Sequence, residues 1–169
     1  MVMKLWPLLV LLACASCFES PSAKGPPEAL QVVASAALVT RPDGPISDGA
    51  DVIPASEEAI LDKRLREVLD QKRTAFIVVT VNSLGDQDVA AFTNSLARQW
   101  KVGAARGGVV LLVAPNDRQM RIETSEEVRA RLSDQQCAEI IARVLKPRFQ
   151  GGDFAGGIAA AVEVIAFHL

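Results

Sequence analysis

Three side chains in this sequence have types that could do chemistry together: Asp48, Ser83 and Asp117. Two carboxylates with a hydroxyl and backbone oxygens suit a hard cation such as Ca2+ or Mg2+, and helix N-termini nearby would favour a phosphate. On that reading Asp48 and Asp117 are the metal ligands, and Ser83 or Thr80 contacts the phosphate or the metal shell. The competing reading makes the aspartates turn and capping residues that satisfy backbone amides. Either way the three are distant in sequence, so the fold must return them to one place.

The elements that position them lie between Phe76 and Glu123. Phe76-Ile77-Val78-Val79-Thr80-Val81 and Val109-Val110-Leu111-Leu112-Val113-Ala114 read as short apolar strands. Between them Asp86 and Asp88 open a helix whose Val89, Phe92, Leu96 and Trp100 form an apolar stripe. A crossover of this length makes the strands parallel neighbours, so Ser83 and Asp117 emerge on the sheet edge where open α/β folds bind ligands. An earlier helix takes Pro54 into its first turn, where proline is tolerated, has Glu57 and Glu58 at its positive start, and repeats Leu61, Leu65, Val68 and Leu69 at helical spacing. Its short link to the first strand makes it antiparallel to that strand, which brings Asp48 to the same edge.

Further along, Pro115-Asn116-Asp117-Arg118 has turn composition, and Met120-Arg121-Ile122-Glu123 alternates as the second arm of a hairpin. Ser133 with Gln136 forms a capping box for a helix that turns Cys137, Ile140, Ile141, Val144 and Leu145 inward. Pro147 is expected to end or kink that helix, and Asp153 caps a final apolar helix reaching about Ala166. Gly103, Gly107 and Gly108 precede a strand and lack a Gly-Lys-Ser/Thr ending, so they read as a flexible connection, not a nucleotide loop. The fold class is α/β: a three-layer α-β-α sandwich with a small mixed sheet flanked by helices.

Other features narrow the chemistry. Cys137 and Arg143 match the cysteine-x5-arginine spacing of cysteine phosphatases, but the thiol sits on the apolar stripe of a capped helix and reads as a core residue. His168 is the only histidine, which argues against histidine-dependent triads and zinc sites. Glu126-Glu127-Val128-Arg129-Ala130-Arg131 reads as a solvated helical turn. A formal charge of −2 gives no electrostatic case for nucleic acid.

The N-terminus speaks of export. Lys4 followed by the apolar run Leu5 to Ala13 and small residues has the order of a signal peptide over residues 1–17, too short to span a bilayer as a helix. Leu11-Leu12-Ala13-Cys14 and Cys14-Ala15-Ser16-Cys17 resemble the lipobox of bacterial lipoproteins, with Cys17 as the acylated residue and Cys14 as the alternative. Ordinary cleavage after Ala15 would instead release a soluble exported protein. Cys137 is then the one cysteine left outside the leader, so no disulfide framework is expected. Residues 18–45, with Pro21, Pro26, Pro27, Pro42 and Pro45, read as a flexible linker of about 28 residues that would span on the order of 30 Å. Residues 46–169 form the single folded domain, and the protein is expected in the cell envelope or periplasm, lipid-anchored to a membrane.

Five stretches resemble a known family. Ile46-Ser47-Asp48-Gly49-Ala50, Val79-Thr80-Val81-Asn82-Ser83-Leu84, Gly108 through Arg118, Arg121-Ile122-Glu123, and Pro147 through Phe154 are together similar to the TPM domain, in the right order over residues 39 to 166. The resemblance implies an α-β-α sandwich on the non-cytoplasmic side of a membrane, with Asp48 and Asp117 at the family's recurrent aspartates. It implies two activities in competition: an accessory module for a membrane protein complex, or an acid phosphatase with a cation near the acidic edge. Where many members continue with a Gly-Tyr-Gly-Leu-Glu loop, this chain has Thr124-Ser125-Glu126-Glu127-Val128, which removes the backbone freedom of two glycines.

Labelled palmitate fed to cells making the full chain is expected to enter the protein, to be lost in Cys17→Ala and to persist in Cys14→Ala; the reverse pattern would move the anchor to Cys14.

Overall fold

The computed structural model describes residues 39–169. The expected leader, both candidate acylation cysteines and most of the linker therefore lie outside the described residues.

A four-stranded sheet runs in the order β1 (Ile46–Asp48), β2 (Ala75–Thr80), β3 (Gly108–Ala114) and β4 (Gln119–Thr124). The first three strands are parallel, and β4 returns antiparallel to β3 through the turn at Pro115–Arg118. Every residue of β3 is buried, and β2 is buried from Phe76 to Thr80. Strands this apolar need cover on both faces. Their alternation divides the core accordingly: Phe76, Val78, Val109 and Leu111 face one side, and Ile77, Val79, Val110 and Leu112 face the other.

Helix α1 (Ala55–Lys72) covers the first face with Leu61, Leu65 and Val68, and α2 (Val89–Gln99) covers the second with Phe92 and Leu96. Helix α1 closes with Arg73 in the left-handed conformation, its N–H on the Leu69 carbonyl at 3.0 Å. Asp88 caps α2 by accepting from the Ala91 N–H at 2.8 Å. β1, β2 and β3 advance across the sheet in one direction, yet α1 and α2 lie on opposite faces. Two such crossovers have opposite hands, so one of them departs from the right-handed rule that parallel units almost always obey.

After the one-turn helix α3 (Glu126–Arg129) comes α4 (Asp134–Ile140), opened by the expected capping box of Ser133 and Gln136. Pro147 does not end this helix. The chain widens into a π-helical turn over Ile141–Leu145 and resumes as α5 (Lys146–Gln150), with Pro147 in the first turn, where its missing N–H does no harm. Helix α6 (Phe154–His168) starts at Asp153, which accepts from the Gly156 N–H, and packs beside α1, where Arg64 makes a two-pronged ion pair with Glu163. That pairing holds the Glu163 carboxyl below its ordinary range. Helices α1, α4 and α6 thus fill one outer layer and α2 the other, completing the α-β-α sandwich.

Two segments differ from the sequence expectations. β1 is three residues long and gives no periodic signal, but its pairing with β2 makes Asp48 a strand residue. The link from Gly103 to Gly108 is a tight turn, not a slack connection: the Gly107 N–H reaches the Gly103 carbonyl at 3.0 Å, and a Cβ on Gly103, whose φ is +74°, would stand 2.2 Å from the Gly108 nitrogen.

Leu111 is fully buried at the centre of β3. Leu111→Ala is expected to cost about 2–5 kcal/mol in urea unfolding, by lost transfer energy and the cavity left behind.

Candidate functional site

Asp48, Ser83 and Asp117 all lie at the C-terminal ends of the parallel strands. Asp48 ends β1 in register with Thr80 of β2, so their side chains share a face. Ser83 follows β2, and Asp117 occupies the β3–β4 turn.

Asp48 organises the loop that enters α1. Its Oδ2 accepts from the Ile53 N–H at 2.8 Å, and its Oδ1 accepts from the Val52 N–H at 3.3 Å and from the Thr80 hydroxyl. Thr80 is fully buried, and its oxygen also accepts from the Ala50 N–H at 3.0 Å. One carboxylate and one hydroxyl therefore fix a loop in which Asp51 adopts the left-handed conformation, φ 54°.

Asp117 does the equivalent work between β2 and β3. Its Oδ1 accepts from the Ser83 hydroxyl at 2.7 Å, and its Oδ2 accepts from the Leu84 N–H at 2.5 Å. The Ser83 oxygen in turn accepts from the Gly85 N–H at 3.0 Å. The two loops are joined by Asn82, whose Nδ2 donates to the Gly49 carbonyl at 3.3 Å and whose carbonyl accepts from the Asn116 N–H at 3.2 Å. The structure thus brings Ser83 and Asp117 into direct contact and ties Asp48 to them through Asn82. Sequence reasoning gave Asn82 no role; its place between the strand end and Ser83 was the available signal.

The donors at this edge are all oxygens, which fits a hard cation better than zinc. Asp48 Oδ1 already accepts two hydrogen bonds, leaving lone pairs on Asp48 Oδ2 and on both oxygens of Asp117. Among the described residues no three His, Cys, Asp or Glu side chains gather around one point. A cation here would draw on these two carboxylates and complete its shell from hydroxyls, carbonyls and water.

Cys137 and Arg143 do not form a phosphate cradle. The thiol is buried on α4, and desolvation, with Asp134 adding to it, pushes its pKa up to about 11, away from the reactive thiolate.

A sandwich of helices about a mixed sheet, with aspartates stitching the loops at its C-terminal edge, defines the class. The family model described as the TPM domain matches residues 46–166, and this chain belongs to that family. The N-terminal domain of a P. gingivalis protein, solved by NMR, is 31% identical with a TM-score of 0.70, over 73% of this chain and 80% of that one. The N-terminal domain of cg2496 protein from Corynebacterium glutamicum is 16% identical with a TM-score of 0.60, over 74% and 79% of the two chains. The BA42 protein of the psychrophilic bacterium Bizionia argentinensis is 20% identical with a TM-score of 0.58, over 69% and 81%. The last two share the fold. No curated protein matches.

The two aspartates should respond differently to amidation. In Asp117→Asn the Ser83 hydroxyl can reverse to accept while the remaining oxygen keeps the Leu84 N–H, so the cost should stay below about 1 kcal/mol. In Asp48→Asn either amide orientation sets an NH2 group against a backbone N–H, and the expected cost is about 1–3 kcal/mol. Urea unfolding of the two variants checks the order.

Proposed function

We propose that this chain is a membrane-tethered TPM domain of the cell envelope that works as a binding or accessory module for a membrane protein complex. The observation that carries this reading is the engagement of both aspartates in loop-holding hydrogen bonds, three on Asp48 and two on Asp117. Carboxylates used in this way give a shaped, stiff edge suited to recognition. The leader and the proline-bearing linker read from the sequence would place that edge at a distance from a membrane surface. No helix among the described residues is long and apolar enough to cross a membrane, so on this reading the attachment is the lipid.

A metal-dependent phosphomonoesterase is the second reading, favoured by the oxygen-only donor set with lone pairs to spare. Asp48 and Asp117 would hold Ca2+ or Mg2+, and Ser83 would meet the phosphate or the metal shell. Thr80 is fully buried and already bonded to Asp48 and Ala50, which leaves it the positioning part. A bound cation would supply Lewis acidity to the phosphoryl oxygens.

The full chain should be assayed for phosphomonoester hydrolysis with calcium, magnesium and manganese, beside Asp117→Asn and the Asp48→Asn/Asp117→Asn double variant. Equal background in all three is the expected result. Metal-dependent turnover lost in the variants, with their fold intact by circular dichroism, would replace the accessory role with the enzymatic one.

A further inference from the structure

A cavity of about 480 Å3 opens on the same sheet edge as the aspartates, between the β3–β4 turn and the junction of α5 with α6. That volume lies in the range of small-molecule sites, about 300–1,000 Å3. Its apolar wall includes Val113, Met120, Phe149 and Phe154, and its cations are Arg118 and Lys146.

The charges are one-sided. No carboxylate lines this cavity, whereas three others in the described residues include Glu123, Glu163 or Asp43. Among the described residues neither Arg118 nor Lys146 forms an ion pair. Acids close by in sequence are otherwise engaged: Asp117 with Ser83 and Leu84, Glu139 with Gln135, and Asp153 with the Gly156 N–H and Arg148.

The walls are also built in place. Phe149 and Phe154 pack with ring centroids 4.9 Å apart. The Phe149 ring rests on Gly157, where a Cβ would come within 2.6 Å of it. Lys146 follows directly on the π-helical turn, a feature that recurs at functional sites. Arg118 holds a left-handed backbone, φ 54°, at the end of the hairpin turn.

We infer that this cavity binds a small amphipathic anion, with its charged head between Arg118 and Lys146 and an aryl-sized body against Met120, Phe149 and Phe154. Guanidinium and ammonium groups recognise a phosphate, sulfate or carboxylate head, and the aromatic and thioether wall removes the apolar body from water. The inference does not rest on the accessory role and survives its failure, because it uses neither Asp48 nor Asp117.

Phenyl phosphate is the probe, with inorganic phosphate and phenol as its separate halves, titrated into the full chain and followed by amide NMR shifts. Phenyl phosphate is expected to move amides within residues 113–120 and 146–154 and to saturate at least about tenfold below either half. Arg118→Asn with Lys146→Gln, in which asparagine tolerates the left-handed backbone, should raise its half-saturation by about tenfold or more without moving the thermal midpoint. Gly157→Ala should push the Phe149 ring into the cavity and shrink the advantage of phenyl phosphate over inorganic phosphate. Equal affinity for inorganic and phenyl phosphate, or unchanged binding in the doubly neutralised variant, would overturn the inference.

Discussion

Strand β3 has no exposed residue between Gly108 and Ala114, so its side chains must be covered on both faces and its backbone paired on both sides. β2 and β4 supply the pairing; α1 with α6 covers one face and α2 the other. The layering follows from this burial, even at the cost of one crossover of the uncommon hand. Polar side chains have no place on such a strand except at its ends, and Asp48, Thr80, Ser83 and Asp117 sit together at the C-terminal one.

At the C-terminal end, three loops must reverse direction within a few residues while their amides find acceptors. Asp48 meets that need for the loop that follows it and Asp117 for a loop distant in sequence, and Asn82 couples them. The chemistry that makes a carboxylate attractive as a ligand also makes it an effective acceptor for several amides at once. Here the second use is plainly in force, and it stiffens the edge.

The β3–β4 turn divides its charges. Asp117 faces the β2 loop, while Arg118 lines the cavity formed with α5 and α6. Neighbouring residues in one turn thus give one edge an acidic, hydrogen-bonded side and a cationic, aromatic-walled side. The second exists only because α4 continues through a π-helical turn into α5 and carries Lys146 and Phe149 to the hairpin.

Local physics made much of this legible in the sequence. The apolar runs of β2 and β3, the stripes of α1 and α2, the capping box at Ser133 and the cap at Asp153 are signals within a few residues, and each element formed close to its expected bounds. Topology also followed, because a crossover of that length constrains where Ser83 and Asp117 emerge. Tertiary structure alone decided the rest. β1 is too short to show a period and exists through its pairing with β2; Pro147 is absorbed because the helix can widen ahead of it. The bond from Thr80 to Asp48, the partners of Asp117, and the lone cations of the cavity depend on contacts between segments far apart in sequence, which no local pattern encodes.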